Sequence, residues 1–296
     1  MQLCGSIKYR RGQILVHSDE TEIDAAIPLA QVAVILIGIQ ASVSGAVISK
    51  LSEYDIALLV CDWREVPIAG AIPWREHTRI GVRHRSQSEL SVPRKKRAWA
   101  SIIQSKILGQ AHTLQLLDAK GAKEIQSMAK SVRSGDPDNM EARTARKYWQ
   151  LISGSTKFSR LPGSETIGWN SALDYGYTLL HGYGIRAVTS GGLAGALGVF
   201  HRGRGNAFAL VDDLMEPFRP MVDAYVFNHL GNDAALTKEG KHYISNSLAS
   251  AFDSSGKTLP TVFNEFAQQY GLYVEGEIEV LAAPKWKGAI HASEGS

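Results

Sequence analysis

The chain has 296 residues, enough for one large domain or two medium ones with proper cores. Hydrophobic residues make up 44% and charged residues 21%, which excludes intrinsic disorder, and the net charge is a modest +3. Cys4 and Cys61 are the only cysteines and form no C-x-x-C, which excludes a disulfide framework and a thiolate metal site and suits a reducing cytoplasm. The N-terminus lacks a secretory apolar core, and the longest apolar tract, 25–41, is broken by Pro28, Gln31 and Gly38, so no membrane association is expected.

Residues 1–75 read as a small β-rich domain. Ser6–Val16 has the pattern of a hairpin turning at Arg11-Gly12, and the apolar runs Val32–Ile39 and Ile56–Cys61 are short enough for buried strands. Ala41–Ser52, with Val43, Ala46, Val47 and Leu51 on one side, predicts a helix covering a sheet edge. Pro67, Gly70 and Pro73 predict the end of regular structure, with a domain boundary near Trp74.

Residues 76–92 are expected to be a basic linker. From Arg75 onward Arg79, Arg83, Arg85, Arg94, Lys95, Lys96 and Arg97 face only Glu76 and Glu89, an excess larger than that of the whole chain, so the remainder is net acidic. Such a block suits a phosphate backbone, although a solvated linker carrying spare charge is nearly as common.

Residues 93–296 read as all-helical. Pro93 opens a long helix to Leu117 striped by Trp99, Ile102, Ile103 and Ile107. Further helices are expected over 121–132, 137–153, 168–182, 206–230 with a break near Pro217, 238–252 and 259–270. Strands first and helices after predict an α+β fold rather than an alternating α/β sheet.

Two stretches carry candidate chemistry. In Asp136–Ile152, Asp136 as N-cap and Pro137 as first residue start a helix with Ala145, Tyr148, Trp149 and Ile152 buried. Glu141 falls on that buried stripe, where a carboxylate costs several kcal/mol unless a cation compensates; the plain alternative is a salt bridge to Arg143 or Arg146. In His201–Pro220, a histidine on a Gly-punctuated turn precedes a helix whose apolar face is Phe208, Val211, Met215 and Phe218. Asp212, Asp213 and Glu216 lie off that face, and either aspartate is spaced to share a hard cation with Glu216, unless the cluster merely caps a solvated helix. The guanidinium groups of Arg202, Arg204 and Arg219 stand beside them as further phosphate partners. A hard cation and a polyanion meet in phosphodiester chemistry, which favours nucleic acid as the partner of the basic block.

Other chemistries find no support. No H-E-x-x-H spacing supports a zinc enzyme and no G-x-S-x-G supports a serine hydrolase. The glycines from Gly191 to Gly198 follow no clear strand and precede no lysine, so close helix packing is expected there rather than a nucleotide loop. Asn170 is expected either to cap its helix or to bond near the metal site.

Taken together, Glu141 in N-M-E-A-x-x-A-R-x-Y-W, Asn170 in N-S-A-L-D-Y-G-Y, His201, and D-L-M-E-P-F-R-P resemble the integrase of CRISPR adaptation, the first Cas protein family, in the branch that accompanies type II systems. The resemblance spans roughly residues 27–223. It implies a small N-terminal β domain, a helical catalytic domain, and a divalent metal, Mg²⁺ or Mn²⁺, held by Glu141, His201 and Glu216 with Asp213 as auxiliary acid. It further implies endonuclease and integrase activity in a prokaryotic cytoplasm, in which the 3′-hydroxyl of a captured double-stranded DNA fragment joins a CRISPR repeat by transesterification. Its implied partners are that DNA, a second copy in a homodimer, and a bridging dimer of the second Cas protein. The rival readings are a DNA-binding scaffold with a structural acidic cluster, and a metal-dependent phosphohydrolase acting on a small substrate.

Overall fold

A computed structural model of the chain describes residues 5–18, 24–62, 67–73, 78–155, 158–163, 168–232 and 235–289. The fold is α+β, with the strands first and the helices after. Strands β1 (Gly5–Arg10) and β2 (Gln13–Ser18) form the expected hairpin, and Arg11 and Gly12 both take positive φ, as a two-residue turn of that hand requires. β3 (Asp24–Pro28) continues antiparallel on β2, and β5 (Ala41–Val43) adds parallel to β1, giving the order β3-β2-β1-β5. A second sheet has the order β4 (Val34–Gly38), β6 (Ala57–Cys61), β7 (Pro67–Ala71).

Two expectations fail here for local reasons. Ala41–Val43 is a strand rather than the start of the helix; Ser44 caps α1 (Gly45–Glu53) by accepting from the Val47 amide. Pro67–Ala71 is a strand despite its proline. Pro67 is the first residue of an edge strand, where a missing donor is tolerated.

Side-chain alternation along β6 joins the two halves of the molecule. Leu58 faces a small core with Ile7, Ile14, Leu29, Ile37, Val47, Leu51 and Ile56, while Leu59 faces the large helical core. There the second sheet lies on α6 (Gly168–Ser190), with Gly182 so close to Val34 and Leu59 that a Cβ would press on Val34 at 3.1 Å. Gly176 and Gly184 bring the same helix onto Val222 and Val211, and the helix expected to end at residue 182 runs on to Ser190.

The segment expected as a linker contains α2 (Ile80–Glu89), which rests on α10 (Leu259–Glu275). Its inward residues are Arg83 and Gln87, four apart and both polar, so no apolar period announces it. The domain boundary expected near Trp74 lies outside the described residues. α3 (Val92–Leu116) is the axis of the helical part, touching α4 (Ala122–Ala129), α5 (Met140–Ile152) and α8 (Arg219–His229). Residues 277–289 run without regular structure along α3, fastened by Ser101 Oγ to the Leu281 carbonyl at 2.7 Å and by the fully buried Trp286. Among the described residues no helix is long and apolar enough to cross a membrane.

Candidate metal centre

α5 begins at Met140, three residues later than expected. The N-cap is Asn139 rather than Asp136, although the two Asp136 carboxylate oxygens accept from the Met140 and Glu141 amides at 2.8 and 2.9 Å. The buried face is Met140, Thr144, Tyr148 and Ile152, with Ala145 and Trp149 half-buried. Glu141 is therefore not on the buried stripe: it stands at the rim, its side chain 27% exposed. Its partner is neither Arg143 nor Arg146 but Lys106 of α3, whose Nζ donates to Glu141 Oε1 at 2.7 Å.

α7 (Ala209–Met215) follows the His201 turn, and a single 3₁₀ turn, Glu216–Phe218, joins it to α8. Pro217 and Pro220 lack the amides that an unbroken helix would use, which forces the break and leaves Glu216 at the joint. The structure sends the two acids of D-x-x-E in different directions. Glu216 turns to Lys106, whose Nζ lies 2.5 Å from Oε2, and accepts from Arg219 Nε through Oε1 at 2.9 Å. Asp213, wholly buried, accepts from the amides of Val199, Phe200 and His201 and from His201 Nδ1 at 2.6 Å. Gly198 permits this approach, since a Cβ there would stand 2.9 Å from Asp213 Oδ2. Asp213 thus holds the loop and the imidazole, and it leaves Nε2 as the available donor of a half-exposed ring. Asp212 is separate again, accepting from Asn206 Nδ2 and facing His181 at 3.5 Å.

The titration behaviour follows the contacts. The bond to Asp213 raises the His201 pKa above its ordinary value. Burial works to raise Glu216, yet the neighbouring Arg219 and Lys106 hold it below the usual carboxylate range. Burial likewise opposes the charge on Lys106, and the two glutamates overcome it and raise its pKa. Beside this group, Asp223 of α8 is pushed up to about 6 by burial, although the hydroxyls of Tyr177 and Tyr148 donate to it at 2.5 and 2.9 Å.

Among the described residues no three His, Cys, Asp or Glu side chains stand together at metal-holding separations. What Glu141 and Glu216 share is the Lys106 ammonium. Glu216 Oε2 accepts no hydrogen bond of normal geometry even so. Drawn together, the two carboxylates and the imidazole nitrogen would make a mixed O/N donor set of the kind that suits Mg²⁺ or Mn²⁺, with Mn²⁺ favoured by the imidazole.

Sequence reading missed Lys106, and the signal was present. Lys106 lies on the face of α3 that also carries Trp99, Ile103 and Gln110, and a charge on a buried face needs a partner. Asp223 carries the same signal, lying between Val222 and Ala224 on a buried helix. Asn170 is not at the metal centre. Its amide accepts from Arg160 and from the Leu161 amide and donates to the Ser159 carbonyl.

The basic residues divide sharply. Arg83 is buried and corrects the expectation of a phosphate contact: its guanidinium donates to Glu275 Oε1 at 2.8 Å, to Gln268 Oε1 at 2.9 Å and to the Gly191 carbonyl. Arg79 pairs with Glu275 and Glu277, and Arg94 bonds the Tyr273 and Ile278 carbonyls while lying over the Tyr273 ring. Arg219 is engaged by Glu216 and lies 4.6 Å over the Tyr177 ring. Arg85, Lys96, Arg97, Arg202 and Arg204 are exposed and Lys95 is half-buried. Arg75 lies outside the described residues.

A cleft of about 460 Å³ opens beside the centre, lined among others by Arg160, Asp174, Tyr177, His181, Asp212 and Arg219. Against known proteins, the family model described as CRISPR associated protein Cas1 matches residues 4–258. A CRISPR-associated endonuclease Cas1 of Neisseria meningitidis serogroup C (strain 8013) is 34% identical over 240 residues, covering 79% of this chain and 76% of its own. A casposase bound to integration product has the same fold, with a TM-score of 0.78 at 19% identity over 98% of this chain and 94% of that chain. So has a chain of a Cas6-RT-Cas1–Cas2 complex, with a TM-score of 0.69 at 19% identity; the match covers 96% of this chain and 35% of that longer one.

Proposed function

The chain belongs to the CRISPR-associated Cas1 family, and from that premise we propose that it is a metal-dependent DNA integrase with endonuclease activity, of the branch accompanying type II systems. The observation that carries the reading is the convergence of Glu141 and Glu216, from two separate helical segments, on one cation beside a histidine locked by Asp213. Glu141, Glu216 and His201 Nε2 would hold the metal. When bound, it supplies Lewis acidity to the phosphodiester and charge stabilisation to the leaving oxygen.

The chain's own residues do the rest. Asp213 fixes the imidazole so that Nδ1 carries the proton and Nε2 keeps its lone pair. Arg219, held on Glu216 and the Tyr177 face, keeps a permanent positive charge at the mouth of the cleft for a phosphate. The exposed Arg202 and Arg204 flank His201 on its own loop and Lys96 and Arg97 open α3, positions from which a DNA backbone can be held without reading sequence. The attacking 3′-hydroxyl replaces one phosphodiester by another, so no nucleotide cofactor is needed. A homodimer bridged by a Cas2 dimer in a prokaryotic cytoplasm completes the proposal, and the fold shared with the Cas1–Cas2 complex supports it.

The test is a strand-joining assay with a short duplex bearing free 3′-hydroxyls and a repeat-containing target, run in Mn²⁺ and in EDTA. Joined product only in Mn²⁺ supports the reading. The Lys106 pairing also suits a purely structural cluster on a DNA-binding scaffold. A scaffold would bind DNA equally well in both conditions and leave it intact.

A further inference from the structure

Lys106 sits at the middle of α3 with its side chain 11% exposed and its ammonium between two acids. Its flanking residues Ser105 and Ile107 are buried, so the stem is fixed in the core and only the ammonium end is free to choose among partners. Glu216 Oε1 is taken by Arg219 and Oε2 by Lys106, while Glu141 Oε1 is taken by Lys106. Two carboxylates are thus already matched by two protein cations. A divalent metal entering between them without displacing the ammonium would bring a further cation against Lys106 and Arg219 in a mostly buried site, where neither has another carboxylate in direct contact among the described contacts. A metal that displaces the ammonium must instead find it a new anion. DNA supplies one as a phosphate.

The bonding to Lys106 is also the kind that can be exchanged. The ammonium lies 2.5 Å from Glu216 Oε2 and 2.7 Å from Glu141 Oε1, so one cation is divided between two carboxylates. An ammonium on a four-carbon stem carries rotatable donors and can swing from a carboxylate to a phosphate, which a guanidinium held on two faces, as Arg219 is, cannot do as readily.

We propose that Lys106 is a resident counter-ion that competes with the divalent metal for Glu141 and Glu216, so that the free protein binds metal weakly and the DNA-bound protein binds it tightly. The inference rests on the reading of this cluster as a metal centre. Because coupling between two ligands is reciprocal, Mn²⁺ must tighten DNA binding by the same factor by which DNA tightens Mn²⁺ binding.

The experiment is a calorimetric titration of Mn²⁺ into the wild-type chain and Lys106→Met, each with and without a short DNA duplex at fixed ionic strength, with the heat of Mn²⁺ binding to the duplex alone subtracted. DNA is expected to tighten Mn²⁺ binding to the wild type by about tenfold or more. Without DNA, Lys106→Met is expected to bind Mn²⁺ about tenfold more tightly than the wild type, and to lose most of the DNA effect. Equal or weaker Mn²⁺ binding by Lys106→Met, or no DNA effect in the wild type, overturns the competition while leaving the metal centre standing. A wild type that binds no Mn²⁺ under either condition overturns both.

Amine acetylation of the wild-type chain read by mass spectrometry gives an answer that does not depend on how the variant folds. Saturating Mn²⁺ is expected to speed modification of Lys106 severalfold over EDTA while leaving the exposed Lys257 unchanged. The same Lys106 rate in both conditions contradicts the proposal.

Discussion

Two clusters of buried charge stand in the helical half of the molecule, and they are closed in different ways. Between α2 and α10, Arg83 and Glu275 are 4% and 2% exposed, and the guanidinium has three acceptors, one of them a backbone carbonyl. Between α3, α5 and the joint before α8, Lys106 is almost as buried, but its partner Glu141 is 27% exposed and His201 beside it 43%. In the first cluster the Arg83 guanidinium is engaged by three acceptors and no imidazole stands by, so it acts as a fastener for a helix that lacks an apolar face. The second has a half-exposed imidazole nitrogen to offer, and its ammonium is divided between carboxylates from two helical segments. Burial of charge alone does not mark a functional centre; buried charge beside a half-exposed imidazole with a nitrogen to offer is the better sign.

The comparison breaks most visibly if the open cluster proves inert. Glu141→Gln, His201→Ala and Glu216→Gln are each expected to lower the strand-joining rate by about 10³-fold or more, several kcal/mol of lost transition-state stabilisation, with DNA affinity in EDTA retained. Rates within a few-fold of wild type in all three would make this cluster a second fastener.

Removing the cation of the closed cluster should damage stability instead. Arg83→Ala strips Glu275 of its buried partner and is expected to destabilise the chain by about 3–5 kcal/mol in urea unfolding. Because Arg83 is inaccessible to a phosphate, the DNA salt dependence of the folded variant should match that of the wild type.

Asp223 sharpens the contrast by adding a further buried acid, hydrogen-bonded to two tyrosines and lacking a directly paired cation among the described contacts. Its folded pKa of about 6 lies above the ordinary 3.8, so the folded chain holds this proton more tightly than the unfolded one. The resulting stability is fully present below the ordinary value and is lost as pH rises through about 6, a change on the order of 3 kcal/mol. Asp223→Asn is expected to flatten the stability profile over that window; an unchanged slope assigns the pH dependence elsewhere.

The smallest expected effects belong to the exposed cations. Lys96→Ala, Arg97→Ala, Arg202→Ala and Arg204→Ala should each reduce the slope of log affinity against log salt by about one, with little change in sequence preference. A slope unchanged in the quadruple variant would assign these residues to the solvated surface.

Much of the fold was legible because it rests on periodicity. The hairpin at Arg11-Gly12, the stripe of α3 and the break at Pro217 all follow from local pattern. α2 was not legible, since its inward face is Arg83 and Gln87 and its charge reads as solvated linker. Glu141, His201, Asp213 and Glu216 could be singled out by motif, but their grouping could not. That Asp213 turns to the His201 loop while Glu216 turns to α3 depends on how the joint before α8 packs, which no spacing along one helix reveals. Glu141 was marked for the wrong reason as well: the helix starts later than its first cap signal, and the glutamate sits at the rim rather than in the core.

The central claim is that Glu141 and Glu216 are ligands of one divalent metal while Asp212 is not. Calorimetric Mn²⁺ titration, carried out with the DNA duplex present, tests it on the wild type, Glu141→Gln, Glu216→Gln and Asp212→Ala. The account predicts one strong site in the wild type, its loss in both glutamate variants and its retention in Asp212→Ala. Wild-type affinity in both glutamate variants, or loss of the site in Asp212→Ala alone, would contradict it.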